Sequence, residues 1–257
     1  MLARFFGVVG ARKVPLNCGP LKTLTLLLAV LSLGLVPAVS SSAQSTAANP
    51  AATPTLRNDW LDRHNGFVAR AKQGGVDVLF TGDSITDGWR TRGKGVWAQR
   101  YEPLKAVNFG IGGDKTEHLL WRLQNGELDG IKPKVAVIMI GTNNTGRDTA
   151  EQIAGGITAV VNEVRMRSND TKILLLAVFP RAEQATNSLR TKITELNQLI
   201  AKLDDGKHVF FLDIGQKFLK PDGTLPAAIM PDFLHPNEEG YVIWAYAIAP
   251  KLAELMK

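Results

Sequence analysis

Residues suited to acyl transfer follow two of the apolar runs in this sequence and precede its last helical pattern. A serine lies in Gly82–Thr86 (GDSIT), and Asp232 stands three residues before His235 in DFLHP. A serine hydroxyl is a weak nucleophile at neutral pH and needs an adjacent base, for which histidine is suited. A nearby acid can hold the imidazole tautomer and stabilise the imidazolium that forms. The pattern predicts Ser84 as nucleophile, His235 as base and Asp232 as the acid that orients it.

Attack by a serine on an ester carbonyl also creates an oxyanion, which requires preorganised donors. The backbone N–H of Ser84, an N–H from the turn Gly110–Gly113 and the side-chain amide of Asn143 could supply three. Glycine suits such a turn because it allows close approach of the backbone and unusual dihedral angles. Spacing alone does not decide between Gly112 and Gly113.

Each motif also has a simpler interpretation. The Gly-Asp-Ser segment could be only a turn, Asn143 a turn residue, and Asp232 with His235 a helix cap beside a packed histidine. The turn 110–113 could bind a phosphate, although neither Gly-Lys-Ser/Thr nor a full G-x-G-x-x-G follows it. Four motifs that all have only a structural role are less expected than one such motif. We therefore favour an enzyme that catalyses acyl transfer over a nucleotide-binding protein or a non-catalytic binding module. No cofactor is expected, and no metal, because His64, His118 and His208 lack the paired spacing of a metal site.

The elements that must position these residues alternate along the chain. Five short apolar runs predict buried strands: Val76–Thr81, Ala106–Phe109, Val135–Ile140, Ile173–Val178 and Val209–Leu212. Helical patterns lie around and between them: Arg57–Lys72, Thr116–Leu123, Thr149–Arg167, Ser188–Leu203 and Glu238–Met256. Strands that are apolar on both faces and alternate with helices predict a parallel sheet in a three-layer α/β/α domain. Such sheets carry their chemistry in the loops beyond the strands' carboxyl ends. In this interpretation Glu127 is a surface turn residue.

The first 43 residues have the pattern of a signal peptide. Basic residues precede a thirteen-residue apolar stretch, Leu24–Val36, and small residues with a cleavage site near Ala43 follow it. The stretch is too short for an ordinary membrane span of about 20 residues, although an uncleaved anchor is the alternative. The sequence therefore predicts an exported, periplasmic or secreted protein, a flexible leader over residues 44–55 and one domain over 56–257.

The charge of the chain argues against a nucleic-acid partner. The formal net charge is +6, but four basic residues and no acid lie before Ala43, which leaves the rest of the chain nearly neutral. Nucleic-acid binding needs clustered lysine and arginine to displace counterions. No such partner is expected, and no stable membrane span once the signal is removed.

Taken together, the motifs resemble those of the SGNH (GDSL-type) hydrolase family. The four blocks are GDSIT, the glycine turn of NFGIGGD at 108–114, GTNN at 141–144 and DFLHP at 232–236, and they stand in the family's order. The stretch 108–144 resembles the branch formed by the catalytic subunits of platelet-activating factor acetylhydrolase isoform Ib. The resemblance covers about residues 76–249.

The resemblance implies a flavodoxin-like fold with five parallel strands. It also implies the triad Ser84, Asp232 and His235, and an oxyanion hole made by Ser84, Gly113 and Asn143, so that it selects Gly113 over Gly112. Many family members carry Asp at the position of Asn144, which this chain and the acetylhydrolase branch do not.

The expected activity is that of a serine esterase that hydrolyses short acyl esters, with acetyl preferred, through an acyl-serine intermediate. In similar acetylhydrolases bulky apolar residues beside the serine and histidine close the acyl pocket, which here would be Ile85 and Leu234. Packing of both into the core is the alternative. The expected substrate is a small-molecule or carbohydrate acyl ester, and a carbohydrate O-acetyl esterase is the alternative to a lipid-type acetylhydrolase. The resemblance also implies a homodimer, although no interface can be located in the sequence.

Overall fold

The computed structural model describes residues 48–257, together with 13, 15 and 16. The fold lies in a compact unit, Thr46–Lys257. The predicted signal peptide, apart from those three residues, lies outside the described residues. Within the part of the chain that is described, no helix has the length and apolar character needed to cross a membrane.

Five parallel strands form one sheet at the centre of this unit. They are β1 (Val78–Gly82), β2 (Ala106–Gly110), β3 (Val135–Met139), β4 (Lys172–Leu176) and β5 (Val209–Leu212), in the order β2-β1-β3-β4-β5. This is the flavodoxin-like order, and it confirms the predicted fold class. Gly82 pairs with Gly110 on one side and with Met139 on the other, so β1, β2 and β3 end level at the edge where the motif residues emerge.

Within the described residues seven α-helices accompany the sheet: α1 (Leu61–Lys72), α2 (Ser84–Asp87), α3 (Lys94–Arg100), α4 (Thr116–Arg122), α5 (Ala150–Arg167), α6 (Ser188–Ile200) and α7 (Glu238–Leu255). The first begins four residues later than predicted, because Asn58–Trp60 forms a separate 3₁₀ turn. The end of α6 lies three residues before the predicted one, since Ala201–Leu203 is a 3₁₀ turn, and α7 ends one residue before its predicted end.

Each face of the sheet is covered by its own apolar core. On one face residues of α1, α4, α5 and α6 pack against alternate strand residues such as Leu79 and Ile138. On the other face α7 and an aromatic cluster containing Trp89 and Trp244 pack against Phe80 and Val137. Neighbouring strand residues point to opposite faces, which explains why the strands are apolar throughout.

The prediction of a flexible leader is wrong for residues 49–55. Pro50–Ala52 forms a 3₁₀ turn in which Ala51 is fully buried. The Ala51 carbonyl accepts a hydrogen bond from Thr116 Oγ1 at 2.6 Å, and Thr55 N donates to Glu117 O at 3.0 Å. Small and proline-containing sequence resembles a linker, but small residues also permit the close packing seen here.

Candidate active site

Ser84 is the first residue of α2, immediately after the turn that ends β1. Asp83 caps this short helix, with Oδ1 accepting from Ile85 N at 2.9 Å. The Asp83 side chain is completely buried, and its Oδ2 has no hydrogen-bond partner among the described residues. Burial raises the pKa of Asp83 to about 7. The cap therefore fixes the backbone at Ser84 while leaving the serine side chain partly exposed.

Three of the predicted residues form a continuous hydrogen-bonded chain. Ser84 Oγ lies 2.8 Å from His235 Nε2, and His235 Nδ1 lies 2.6 Å from Asp232 Oδ2. Because Nδ1 donates to the carboxylate, Nε2 is left to accept the serine proton. Asp232 Oδ1 accepts the backbone N–H groups of Leu234 and His235. Burial opposes ionisation of Asp232, but the hydrogen bonds from His235 outweigh it and hold the pKa of the carboxyl below its usual range.

The glycine turn after β2 lies against Ser84. A Cβ placed on Gly112 would stand 3.9 Å from Ser84 Cβ. The next residue, Gly113, has φ +77°, a conformation that other residues adopt only with strain. Asn143 lies in a 3₁₀ turn after β3 and donates through Nδ2 to Asp114 O at 2.8 Å. The fold thus brings the Asn143 amide onto the segment that carries Gly113.

Beneath this turn lies a buried ionic network that the sequence analysis missed. Asp114 is bound through Oδ1 to Arg57 Nη1 at 2.9 Å and through Oδ2 to Arg122 Nε at 2.8 Å. Arg122 also donates to the carbonyls of Phe109 and Gly82, at the ends of β2 and β1. Its other carboxylate partner is Glu127.

Glu127 is therefore not the surface turn residue that the sequence predicted. It is fully buried and accepts from Thr81 Oγ1 at 2.7 Å as well as from Arg122. A positive φ at Gly126 turns the chain after α4 and carries Glu127 inward. Composition offered no sign of this, because a carboxylate in a glycine-containing turn is normally solvated.

The structure explains why asparagine suits position 144. Asn144 is buried, and its Nδ2 donates to Glu117 Oε2 and Asp148 Oδ2, both at 2.9 Å. Its Oδ1 accepts from Thr116 N at 3.0 Å. An amide satisfies all three groups, whereas an ionised aspartate would place a third carboxylate between two others.

The two residues predicted to close an acyl pocket differ in their surroundings. Ile85 is 1% exposed and lies within the core on the α7 side of the sheet, where its carbonyl accepts from Tyr241 OH at 2.7 Å. Leu234 is half-buried and packs against the edge of the same core. The core-packing alternative thus describes Ile85, and Leu234 is the residue of the two whose side chain is partly open.

Among residues 48–257, no group of three or more His, Cys, Asp and Glu side chains is placed to hold a metal ion. His64 and His118 are buried or half-buried near the Asp114 network. Burial lowers the pKa of both imidazoles, and His118 Nδ1 accepts from Lys115 N at 3.1 Å.

Comparison with known proteins finds one family model and close curated relatives. The model described as the GDSL-like lipase/acylhydrolase family matches residues 80–243. Human platelet-activating factor acetylhydrolase IB subunit alpha2 is 44% identical over 200 residues, which is 75% of this chain and 86% of the relative.

Solved structures with the same fold are more distant in sequence. A GDSL-like lipase from Bacteroides thetaiotaomicron superposes with a TM-score of 0.61 at 21% identity, over 76% of this chain and 96% of that one. Axe2, an acetylxylan esterase from Geobacillus stearothermophilus, superposes with a TM-score of 0.57 at 22% identity, over 70% and 94%. At these identities the likeness is one of fold.

Proposed function

Because the chain belongs to the GDSL-like lipase/acylhydrolase family and is a carboxylic ester hydrolase, we propose that it is a serine esterase that removes short acyl groups, with acetyl preferred. The observation that carries the proposal is the hydrogen-bonded chain from Ser84 through His235 to Asp232.

In the proposed reaction Ser84 Oγ attacks the acyl carbonyl carbon while His235 Nε2 takes the hydroxyl proton. Asp232 stabilises the resulting imidazolium through its hydrogen bond to Nδ1. The tetrahedral oxyanion is met by the N–H groups of Ser84 and Gly113 and by the Asn143 amide. That amide has two N–H donors, and the bond to Asp114 O uses one of them and aims the other.

Collapse of the tetrahedral intermediate breaks the bond to the alcohol oxygen, which leaves with the proton from His235. Water then attacks the acyl-Ser84 ester with His235 again acting as base, and the acid product departs. The second step regenerates the serine hydroxyl and the neutral imidazole, so no cofactor is consumed.

For the acyl half, the preference for acetyl is supported by the name of the 44% identical acetylhydrolase and by the apolar side chain of Leu234 next to His235. For the alcohol half, the site is open: the Asp232 side chain is 54% exposed and that of His235 22%. An exposed rim supports a bulky alcohol group, as in a small-molecule or carbohydrate ester. A carbohydrate O-acetyl esterase is thus an outcome that the substrate test below distinguishes.

We also propose export, which is supported by the basic and apolar pattern before Ala43. N-terminal sequencing of the protein recovered outside the cytoplasm of an expressing bacterium tests it. A chain that begins near Gln44 is expected, and an intact Met1 terminus in the cytoplasm would contradict export. A homodimer remains a proposal that sedimentation of the purified protein tests.

The test of activity is hydrolysis of p-nitrophenyl esters from acetyl to long acyl chains, with the chain from Gln44 and its Ser84→Ala variant in parallel. We expect the highest kcat/KM on acetyl and a loss of at least about 1000-fold in the variant, as for removal of a triad member. Acetylated xylo-oligosaccharides and an acetylated ether phospholipid then compare the two classes of alcohol.

Three results would count against the proposal. Wild-type activity in Ser84→Ala would rule out the serine mechanism. A preference for long acyl chains would contradict the proposed preference for acetyl. Two folded proteins with no activity on any ester would favour a non-catalytic binding module.

A further inference from the structure

The segment Asn49–Arg57, here called the N-terminal strap, is bound along the helices next to the active site. Asn49 Nδ2 donates to Gln152 O at 2.8 Å, at the start of α5. The buried Ala51 and the exposed Thr55 make the bonds to α4 described above. Gly156 in α5 leaves room for this approach, because a Cβ there would clash with the Ala51 carbonyl oxygen. The strap therefore has a defined path that ends at Arg57.

Arg57 connects the strap to the turn that carries the proposed oxyanion donors. Its Nη1 donates to Gly112 O and to Asp114 Oδ1, both at 2.9 Å. Its Nη2 donates to Asp59 Oδ2, also at 2.9 Å. The Arg57 side chain is 20% exposed and that of Asp114 1%. The contact with Asp114 is therefore shielded from water, whereas Asp59 is 67% exposed.

The bond to Gly112 O determines where the next N–H points. In a trans peptide the C=O of one residue and the N–H of the next point in opposite directions. When Arg57 holds the Gly112 carbonyl, the Gly113 N–H faces away from the guanidinium. A hydrogen bond to the carbonyl from a charged donor also polarises the peptide and strengthens its N–H as a donor.

The bond to Asp114 extends the same restraint to Asn143. Asp114 O accepts from Asn143 Nδ2, so the position of this carbonyl sets the orientation of the amide. The Asp114 carboxylate is bound by Arg57 on one oxygen and by Arg122 on the other. Two proposed oxyanion donors therefore depend on the three-residue segment 112–114 that Arg57 clasps.

We propose that Arg57 is a positioning residue for the oxyanion hole. The N-terminal strap, which ends at Arg57, thereby contributes to the geometry of the active site. The inference rests on the proposed function. Arg57 acts through the Gly112 carbonyl and the Asp114 carboxylate and needs no contact with the substrate.

The test compares Arg57→Ala, Arg57→Lys and the control Asp59→Ala in the chain from Gln44, with p-nitrophenyl acetate. We expect Arg57→Ala to lower kcat roughly 10- to 100-fold, because misplacement of catalytic groups by about 1 Å can cost about 100-fold. KM should stay within about threefold, because the interaction is made in the transition state. Arg57→Lys keeps the charge and a donor and should recover part of the lost kcat. Asp59→Ala removes an exposed partner of Arg57 and should retain wild-type kcat.

A second measurement separates positioning from a loss of folded enzyme. A trifluoromethyl ketone of acetyl size adds to a serine hydroxyl and forms a tetrahedral oxyanion adduct. Its inhibition constant should rise in Arg57→Ala by about the factor by which kcat/KM falls, as expected for a mimic of the transition state. A merely structural role would reduce the fraction of active enzyme and leave the inhibition constant unchanged. If Arg57→Ala does not fold, the inhibition constant and kcat/KM of Arg57→Lys are compared with those of the wild type in the same way.

The inference is overturned if folded Arg57→Ala retains wild-type kcat, or if only the fraction of active enzyme changes. Either result, together with an inactive Ser84→Ala variant, leaves the proposed function standing. Full activity in Ser84→Ala overturns the proposed function and the inference with it.

Discussion

At the scale of single residues, the site depends on which hydrogen-bonding group faces the histidine. Asp232 accepts from His235 Nδ1 at 2.6 Å and from two backbone N–H groups. A neutral amide at this position keeps an oxygen for the backbone groups but presents an N–H to Nδ1. The tautomer that accepts the Ser84 proton is then no longer favoured.

We therefore expect Asp232→Asn to lower kcat roughly 100- to 10,000-fold with little change in KM, since the wrong tautomer alone can cost about 10,000-fold. Steady-state kinetics on p-nitrophenyl acetate measures it. Asp222→Asn is the matched control, because Asp222 is also an exposed acid that accepts a backbone N–H, and it should leave kcat unchanged. Wild-type kcat in Asp232→Asn would mean that the backbone alone orients His235.

The buried carboxyl of Asp83 should make the free energy of unfolding depend on pH. Burial raises the pKa of Asp83 to about 7, against the ordinary value of 3.8. Between those pH values the folded chain binds more protons than the unfolded chain, so this group lowers the free energy of unfolding as pH rises. At pH values above the pKa of Asp83 in the folded chain the loss of stability is complete, and at pH values below its pKa in the unfolded chain there is no loss.

We expect Asp83→Asn, which cannot ionise, to gain stability relative to wild type by roughly 2 to 4 kcal/mol between pH 4 and pH 8. Urea unfolding of both proteins at the two pH values measures the difference, and every other titrating group cancels in it. A difference that does not change with pH would show that Asp83 is already ionised at pH 4.

At the scale of elements, substitution of two helical glycines with different surroundings separates the effect of close packing on stability from the effect of helix propensity. Gly156 lies in α5 against the N-terminal strap and α4, where a Cβ would clash with the Ala51 carbonyl and with the Thr116 side chain. Gly66 lies in α1 with no atom within 4 Å of a Cβ placed on it. Both have helical neighbours, so alanine has the same intrinsic advantage at each position.

We expect Gly156→Ala to destabilise the protein by about 1 to 3 kcal/mol, the usual cost of overpacking. Gly66→Ala should stabilise it by about 0.5 to 1 kcal/mol through helix propensity. Denaturant unfolding of the two variants beside wild type gives both values. Equal effects in the two variants would show that the strap does not pack closely on α5.

At the scale of the whole molecule, both apolar cores and the proposed catalytic residues lie within Thr46–Lys257. The sheet separates the two cores, and the strap is hydrogen-bonded to α4 and α5, whose apolar residues belong to one of them. The folded unit therefore includes residues before the first α-helix.

We expect the chain from Gln44 to match the full chain in thermal midpoint within about 2 °C, less than a change of 1 kcal/mol produces at this size. A chain that begins at Asn58 lacks the strap and should unfold at least about 5 °C lower, since it loses the buried Ala51 and its hydrogen bonds. Calorimetry of the three chains measures both. A midpoint for the Asn58 chain equal to that of the Gln44 chain would contradict the structural role of the strap.

The sequence alone determined the order of elements, the parallel sheet and which residues to propose for catalysis, of which Ser84, His235 and Asp232 lie in one hydrogen-bonded chain. Strands with apolar residues on both faces, such as 135–139, can only be buried between two layers. Serine, asparagine, and the Asp232 and His235 pair stand at strand ends or before the last helix, where a parallel sheet places its loops together. Short-range pattern and general topology were sufficient for these features.

Only the tertiary structure decided the contacts and burial of Arg57, Glu127 and Ile85. Arg57 reaches the turn at Gly112 across 55 positions, and Glu127 is turned inward by the bend at Gly126 to meet Arg122. Ile85 is directed into the core although it follows the nucleophile. Whether a charge in a linker-like or turn-like sequence is solvated or buried depends on partners distant in sequence, and local composition carries no information about those partners.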